Sequence, residues 1–569
     1  MRFFLFCSLI LLCGLSHFSI QATASKNTSW AENTLESMTQ DEKIGQLFMI
    51  AAYVDPEYAR KEIGNPHIIE EIDSFITQYH VGALAFVGPS EIAKQVALTN
   101  HYQKLSQYPL LIAQDLEWGL SMRLKDGMRF PKNITLGVVS DNQLLYEMGK
   151  EIARQARLIG VHMNLSPVLD VNIEPENIAI NVRSFGSTPQ LVALKGVAML
   201  QGLQDGGVIA SAKHFPGLGD ITVDPHLGLP ISLHSRKRLY EVELYPFAQA
   251  IQAGVLSIQT EHVVVPALGF DSTTPASLSP QIIDGLLKNE MGFTGLVLSG
   301  ALRMKALTEH MSQEEIILKA FLAGSDMLLM PQDFLQAYQT LHRALKQGVI
   351  TEQQVDARVL KILQMKEMVH LNQQSTVKIP TVEELETPAA VALKEKLYQN
   401  VVTVQRDAGH LVPLACYENN KIAYVQLGEA SSTTFIDTLK KQQNVDSFFF
   451  PLEYSLESND SALFEKIASY SSIILAVYPA DPRRIEQMRL LNEKKLKEEL
   501  KHFRVHGMSE ALIRVAHALQ KNKQKTIVTY FGSPFGFHFF DGYSTLIMAY
   551  ENDPDAERAV AAILSGKQK

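Results

Sequence analysis

Short, nearly continuous apolar runs alternate with longer amphipathic stretches over residues 40–335. The runs span 44–53, 81–88, 109–115, 161–171, 208–215, 255–263, 294–302 and 326–333. Because apolar and polar residues do not alternate within them, they are typical of strands buried on both faces. Helical periodicity fills the gaps, as in 142–160 and 237–254. Eight strand–helix units predict an α/β fold, a (β/α)8 TIM-like barrel, although a doubly wound open sheet gives the same alternation.

Polar side chains collect at the carboxyl ends of these runs. They are Asp115, Asp170, Lys213, His214, Glu261, His262 and Asp333. In a barrel of this type those ends form the active-site face. Their repetition over five runs favours a functional site over packing alone.

A second alternating section follows a polar segment with two prolines, 371–390, which we interpret as a linker. Its apolar runs are 400–407, 421–429, 472–479, 525–534 and 545–553. They predict a smaller α/β sandwich domain with a mostly parallel sheet. The predicted domains are therefore a barrel over 25–370 and a C-terminal domain over 391–569.

The first 24 residues have the pattern of a secretory signal peptide. Arg2 precedes an apolar run, and Ala22-Thr23-Ala24 matches a small-residue cleavage site. The run is too short to span a bilayer well. We expect cleavage after Ala24, export to the periplasm or the medium, and no stable membrane span.

The composition is that of a globular protein. Of 569 residues, 46% are hydrophobic and 20% are charged, which excludes wholesale disorder. The net charge is −9, from 52 Lys and Arg against 61 Asp and Glu, so no basic excess predicts a nucleic-acid partner. The sequence has no metal-ligand spacing such as HExxH and predicts neither a metal nor an organic cofactor. It leaves the oligomeric state open.

The segment 213–226 is the richest in reactive side chains. It begins with Lys213-His214 at a predicted strand end and continues through a Gly- and Pro-containing loop to Asp224-Pro-His226. In an extended loop, residues two apart lie on the same side, so Asp224 can orient His226. A neighbouring carboxylate favours the protonated imidazole. The pair can therefore donate and recover a proton near neutral pH.

This segment, KHFPGxGD followed by DxH, resembles the signature of bacterial β-N-acetylglucosaminidases of glycoside hydrolase family 3. Further segments resemble motifs of that family in the same order: 115–124, 166–186, 275–299 and 323–333. The resemblance covers about 35–370, with a weaker one over 390–569. It implies a retaining β-N-acetylhexosaminidase with a barrel and a sandwich domain.

The resemblance also implies roles for individual residues. The residues that match those holding the sugar in the minus-one subsite are Asp115, Arg123, Arg183, Lys213 and His214. His226 matches the general acid/base and Asp224 its orienting partner. Asp accepts hydrogen bonds from vicinal hydroxyls, and Arg and Lys donate to sugar oxygens. From the residues alone, Asp115 can equally cap a helix, and Arg183 can form a surface ion pair.

The chain departs from the family pattern at the expected nucleophile. The family carries an Asp in the segment Ser/Thr-Asp-Ala/Asp-Leu-x-Met, whereas residues 299–304 read SGALRM. Gly300 has no side chain and cannot form a glycosyl–enzyme intermediate. Two changes accompany it in the catalytic loop, where Leu218 replaces the usual His and Ile221 the usual Thr.

Glu261 is a candidate substitute carboxylate. It stands where relatives usually carry a small residue, at the end of the sixth predicted strand and next to the seventh. Its side chain can reach the anomeric carbon or position a water molecule. The alternative is a salt bridge to an Arg or Lys of the sugar site.

Three functions compete. The first is a hexosaminidase acting on terminal β-linked N-acetylglucosamine of cell-wall or chitin-type saccharides, as in peptidoglycan turnover. The second is a non-catalytic amino-sugar-binding pseudoenzyme of the envelope. The third is a protein that keeps only the fold, against which the retained polar set argues. We expect the hexosaminidase-like site, with an amino-sugar ligand and weak or lost hydrolysis.

Overall fold

A computed structural model describes residues 29–567, except 64–68, 176, 178, 222, 270–272, 415–420, 431, 453, 455–459 and 481–506. The predicted signal peptide, residues 1–24, lies outside the described residues. Within the described part of the chain, no helix has the length and apolar character needed to cross a membrane.

Eight parallel strands form the first sheet. They are β1 (Phe48–Ala52), β2 (Ala83–Phe86), β3 (Leu111–Gln114), β4 (Met163–Asn164), β5 (Ile209–Phe215), β6 (Ser257–Thr260), β7 (Leu296–Leu298) and β8 (Leu328–Leu329). Their order is β7-β6-β5-β4-β3-β2-β1-β8, and a parallel bridge between Leu298 and Met327 joins the two edges. The predicted barrel is confirmed, and the open-sheet alternative is wrong. Each predicted apolar run contains one strand, and every strand residue is buried.

Helices surround the barrel. They are α1 (Trp30–Ser37), α2 (Gln40–Gln46), α3 (Pro56–Ile63), α4 (Ile69–Tyr79), α5 (Ile92–Leu105), α6 (Asn133–Leu136), α7 (Asn142–Leu158), α8 (Pro189–Asp205), α9 (Arg236–Glu241), α10 (Tyr245–Gln252), α11 (Lys305–Thr308), α12 (Gln313–Ala323), α13 (Phe334–Lys346) and α14 (Glu352–Met368). A π-helix spans Gln281–Glu290. The predicted helical segment 237–254 is divided into α9 and α10, because Pro246 cannot continue a preceding helix.

The C-terminal part contains a second, six-stranded sheet. Its strands are β9 (Thr403–Asp407), β10 (Ile422–Gly428), β11 (Val445–Phe450), β12 (Ser472–Tyr478), β13 (Thr526–Tyr530) and β14 (Thr545–Met548). The order is β11-β10-β12-β13-β14-β9, and only β9 pairs antiparallel. The mostly parallel sheet is confirmed. The sequence analysis missed β11, because this edge strand is only partly buried and lacks a continuous apolar run.

Helices also precede and cover the second sheet. They are α15 (Val382–Leu385), α16 (Pro388–Val401), α17 (Thr434–Lys440), α18 (Asp460–Ala468), α19 (Glu510–Leu519) and α20 (Pro554–Leu564). The segment predicted as a linker, 371–390, thus contains α15 and the first turn of α16. Thr381 begins α15 with a capping box to Glu384, so this polar segment is ordered by local hydrogen bonds.

Glu551, which follows β14, connects the second sheet to the barrel. Its side chain is buried and accepts hydrogen bonds from Arg129 Nη2, the backbone N–H of Lys132 and Thr135 Oγ1, each at 2.6 Å. Arg129 and Lys132 belong to the loop that leads into α6, and Thr135 lies in α6 itself. The C-terminal part therefore braces a loop of the barrel through one buried carboxylate.

Lys366 of α14 is an unusual buried cation. Its Nζ donates to Gln46 Oε1 at 2.6 Å, and burial lowers its pKa to about 7. An unfolded lysine titrates near about 10.4, so between these pKa values the unfolded chain binds more protons than the folded chain. The stability cost of this lysine is therefore fully present below pH 7 and disappears as the pH rises towards 10.

We expect Lys366→Met to stabilise the protein at pH 7 by about 1–2 kcal/mol, because an apolar side chain of similar length removes the buried charge. Calorimetric unfolding from pH 7 to 10 should also show a flatter pH dependence. The control is Lys361→Met on the same helix, which removes an ion pair with Asp326 at 2.9 Å and should lower the melting temperature. A destabilised Lys366→Met protein would contradict the assignment.

Candidate active site

The mouth of the barrel gathers side chains from distant parts of the chain. Because parallel strands end on one face, their following residues converge there. Asp115 follows β3, Lys213 and His214 lie near the end of β5, and Glu261 follows β6. Gly300 lies two residues beyond β7.

Asp115 is held between two cations. Its Oδ1 accepts a hydrogen bond from Lys213 Nζ and its Oδ2 one from Arg123 Nη2, both at 2.6 Å. Burial by itself would raise the pKa of Asp115, but attraction from Lys213 and Arg123 outweighs burial and holds this pKa far below its usual range. Asp115 is therefore ionised at any physiological pH. It pairs with these cations and caps no helix.

Glu117 is a buried counter-ion that the sequence analysis did not identify. Its carboxylate accepts hydrogen bonds from Arg183 Nη2 at 2.7 Å and Nε at 3.1 Å, and lies 3.0 Å from Lys213 Nζ. Burial would raise the pKa of Glu117, but Arg183 and Lys213 lower it to about 2. Arg183 is thus part of a buried network and not of a surface ion pair. The sequence predicts three cations at this site, Arg123, Arg183 and Lys213, but only one carboxylate, Asp115. Because buried cations need counter-ions, this imbalance could have indicated a second carboxylate.

Asp170 fixes the orientation of His214. Its Oδ2 lies 2.6 Å from His214 Nδ1, and its Oδ1 accepts a hydrogen bond from the backbone N–H of Leu218 at 2.7 Å. His214 Nε2 lies 3.4 Å from Arg183 Nη2. Because the Asp170 carboxylate accepts, Nδ1 donates the hydrogen bond and the ring is held in one orientation. The sequence had placed Asp170 at a strand end without a role.

Asp224 and His226, at the end of the segment 213–226, are in contact. Asp224 Oδ1 accepts a hydrogen bond from the backbone N–H of His226 at 3.0 Å and lies 2.9 Å from His226 Nδ1. Asp224 is buried, whereas the imidazole is 45% exposed, so Nε2 remains available for proton transfer. Leu218 and Ile221 of the same loop are buried in the hydrophobic core.

The space next to Gly300 is occupied. A Cβ atom placed on Gly300 would lie 2.8 Å from His262 Cε1, 2.9 Å from His262 Nε2 and 3.0 Å from Glu261 Oε1. Two residues of the neighbouring strand end therefore fill the volume that an aspartate side chain at position 300 would need.

The His262 ring bounds this space on one side and is held by hydrogen bonds at both nitrogens. Its Nδ1 lies 2.7 Å from Ser277 Oγ, and its Nε2 donates to the carbonyl oxygen of Ala301 at 3.0 Å. Burial lowers its pKa, an effect that Glu261 only partly offsets, and the charge of His226 acts in the same direction as burial. The ring is therefore neutral near pH 7 and fixed at both nitrogens.

Glu261 is buried next to the His262 ring, and its side chain is only 3% exposed. Its Oε1 accepts a hydrogen bond from the backbone N–H of His262 at 2.8 Å. Of the residues that the structure describes, only His262 lies within ion-pair distance of this carboxylate. The predicted alternative of a salt bridge to an Arg or Lys of the sugar site is wrong, because the cations there are held by Asp115 and Glu117.

A compact acidic group lies at the base of the catalytic loop. Within the described ranges, Asp220, His234 and Glu243 are the one set of imidazole and carboxylate groups close enough together to ligate a metal ion. However, Arg238 bonds Glu243 at 2.7 Å and Asp220 at 3.2 Å, and His234 lies 2.9 Å from Asp220. A guanidinium between the two carboxylates makes this group an ion-pair network joining the two ends of the loop.

Comparisons with known proteins agree with the fold. Residues 39–365 match the Glycosyl hydrolase family 3 N terminal domain. The chain is 26% identical to Beta-hexosaminidase A of Pseudoalteromonas piscicida over 530 residues, 86% of this chain and 87% of that protein. It is 34% identical to a Beta-hexosaminidase of Nitrosomonas eutropha over 260 residues, 44% of this chain and 74% of that protein. A solved glycoside hydrolase family 3 beta-N-acetylglucosaminidase from Paenibacillus superimposes with a TM-score of 0.75 and 27% identity, covering 94% of this chain and 98% of that one.

Proposed function

Because the chain belongs to glycosyl hydrolase family 3, we propose that it binds terminal β-linked N-acetylglucosamine of cell-wall or chitin-type saccharides at the barrel mouth and hydrolyses it slowly. The observation that carries this proposal is the ionised Asp115 held by Lys213 and Arg123 at a strand end. The relatives named as hexosaminidases support the amino-sugar substrate.

The polar network has the donors and acceptors that a pyranose ring requires. Asp115 keeps its side chain 21% exposed, so its carboxylate can accept hydrogen bonds from two neighbouring hydroxyls. Arg123, Arg183 and Lys213 can donate to hydroxyl or amide oxygens. Because buried carboxylates fix these cations beforehand, little ordering is needed when a sugar binds.

His226 is the proposed acid/base. Protonated on both nitrogens, it can donate the Nε2 proton to the leaving oxygen while Nδ1 stays bonded to Asp224. The buried Asp224 carboxylate fixes the orientation of the ring through Nδ1. In a second step the neutral ring can remove a proton from the attacking water.

Gly300 is the reason for proposing slow turnover. A retaining glycosidase needs a second carboxylate that attacks the anomeric carbon, and position 300 supplies none. Removing such a nucleophile costs about 10⁴–10⁶ in rate in well-studied hydrolases. The same observation favours a second candidate function, an amino-sugar-binding protein of the envelope without hydrolysis. We also propose export to the periplasm or the medium, on the strength of the signal pattern in residues 1–24.

We expect Asp115→Asn to weaken binding of N-acetylglucosamine by about 30–100-fold, because the amide loses two charge-assisted acceptor positions. Isothermal titration calorimetry with N-acetylglucosamine measures this change. The control is Asp141→Asn, which alters a carboxylate that caps α7 through the backbone N–H of Gln143. Asp333, which the sequence placed with the strand-end residues, caps α13 through the backbone N–H of Gln336. Absence of binding to the wild type, or equal binding by Asp115→Asn, would contradict a sugar site here.

A further inference from the structure

We propose that Glu261 replaces the missing carboxylate of position 300 and acts as the nucleophile of the slow retaining hydrolysis. This inference rests on the proposed function and names the group that carries its chemistry. Four observations support it: the register of β6 and β7, the filled space beside Gly300, the absence of a described Arg or Lys within ion-pair distance of Glu261, and the position of the acid/base.

The first observation is the register between strands β6 and β7. Strands β6 and β7 are parallel neighbours in which Gln259 pairs with Leu298. Glu261 and Gly300 each follow that pair by two residues, so they occupy equivalent positions at adjacent strand ends. In parallel strands, side chains at equivalent positions point to the same face. A carboxylate moved from one strand to the other therefore remains directed to the same side of the barrel mouth.

The second observation is the filled space. Glu261 Oε1 lies 3.0 Å from the position of a Cβ on Gly300. Glutamate is longer than aspartate by one methylene group, which helps it to span the gap between neighbouring strands. The His262 ring, fixed by Ser277 and Ala301, closes the far side of this space and limits where the carboxylate can lie.

The third observation is charge. Asp115 and Glu117 are each bonded by two cations, whereas no Arg or Lys of the described chain lies within ion-pair distance of Glu261. One oxygen, Oε1, is held by the backbone N–H of His262 at 2.8 Å. A carboxylate that is oriented but has no cation partner is a better nucleophile towards carbon than a carboxylate in an ion pair.

The fourth observation is the position of the acid/base. The backbone N–H of Ala306 donates to the carbonyl oxygen of Pro225, the residue before His226, at 3.2 Å. The loop that carries His226 therefore packs against the segment that follows Gly300, at the strand end next to the one that carries Glu261. A retaining mechanism needs an acid/base and a nucleophile that both reach the same scissile bond.

The proposed hydrolysis has two steps. An oxygen of Glu261 attacks the anomeric carbon as the bond to the leaving oxygen breaks, and His226 gives its proton to that oxygen. The product of this step is an ester between Glu261 and the sugar. Water then attacks the same carbon, its proton passes to His226, and the ester bond breaks to release the sugar with its β configuration retained and Glu261 ionised.

The direct test is trapping of the ester. Wild-type protein is incubated with 5-fluoro-N-acetylglucosaminyl fluoride, whose fluorine atoms slow the second step more than the first, and is then digested and mapped by mass spectrometry. We expect one sugar ester on Glu261 and none in Glu261→Gln. An ester on another carboxylate, or no ester in protein that still binds N-acetylglucosamine, would overturn the inference while leaving the sugar site intact.

Kinetics provide an independent test. We expect Glu261→Gln to lower turnover of an aryl N-acetylglucosaminide by at least about 100-fold, with unchanged calorimetric affinity for N-acetylglucosamine. In Glu261→Ala, added azide should restore turnover and yield the α-glycosyl azide, because the anion enters from the vacated side. Asp141→Asn, which alters the exposed carboxylate that caps α7, should leave the rate unchanged.

Each remaining outcome is decisive. Unchanged turnover in Glu261→Gln, or an α-configured sugar as the first product of wild-type hydrolysis, would show that Glu261 is not the nucleophile. Binding of the sugar without any wild-type turnover would overturn the inference in favour of the binding-only function. Loss of sugar binding in the wild type would instead contradict the proposed function itself.

Discussion

The double variant Gly300→Asp, Glu261→Ser is expected to hydrolyse an aryl N-acetylglucosaminide about 10²–10⁴ times faster than the wild type. It places a carboxylate at position 300, where the resemblance of the sequence implies the nucleophile. It also removes the glutamate that now fills the space next to position 300. Initial rates with an activated aryl leaving group measure the gain.

Gly300→Asp by itself is expected to be no faster than the wild type. In both variants the Cβ at position 300 would lie 2.8 Å from the His262 ring, which must shift slightly, but only in the single variant would the new carboxylate also meet that of Glu261. Two carboxylates in contact cannot both ionise readily, so one is protonated and neither is well placed. A single variant as fast as the double variant would show that Glu261 does not occupy the nucleophile position.

The matched control for the double variant is Gly300→Asn, Glu261→Ser. It has nearly the same volume and the same emptied space, but its amide cannot form the ester. We expect no gain over the wild type. An equal gain in this control would assign the acceleration to relief of crowding and not to a restored nucleophile.

Glu551→Gln is expected to destabilise the protein by about 2–4 kcal/mol, because Arg129 loses its buried carboxylate. Burial would raise the pKa of Glu551, but Arg129 and Lys132 and the hydrogen bond from Thr135 outweigh burial and lower it. A lowered pKa contributes stability above the unfolded value of about 4.3, and this contribution is lost as the pH falls below that value.

Calorimetric unfolding at pH 7 and pH 4 tests this expectation, since the difference between wild type and Glu551→Gln should shrink at the lower pH. The control is Glu510→Gln, which alters a largely exposed ion pair with Arg514 and should change stability by less than about 0.5 kcal/mol. Equal melting temperatures for the two variants at pH 7 would show that Glu551 does not brace the barrel loop.

The same substitution is expected to weaken sugar binding. Glu551 bonds Thr135 of α6, and the first residue of that helix, Asn133, donates from Nδ2 to the carbonyl oxygen of Arg183 at 2.6 Å. Loosening α6 should therefore displace Arg183, a residue of the proposed sugar site. Isothermal titration calorimetry with N-acetylglucosamine measures the change.

Local patterns determined much of this protein. Continuous apolar runs identified all eight barrel strands, because strands buried on both faces require apolar side chains throughout. Strand-end positions identified the polar residues of the mouth, since parallel strands end together. The two-residue spacing of Asp224 and His226 was sufficient to predict their contact, because it depends only on the local backbone.

Only the tertiary structure decided the remaining contacts. Glu117 belongs to a motif recognised in the sequence, but its pairing with Arg183 depends on how two distant loops meet. The sequence marked Gly300 as a lost nucleophile and Glu261 as a possible substitute, and the register of β6 and β7 places them side by side. Nothing in the sequence indicates that Glu551 bonds Arg129, Lys132 and Thr135. These contacts depend on how the C-terminal part packs against the barrel and not on spacing along the chain.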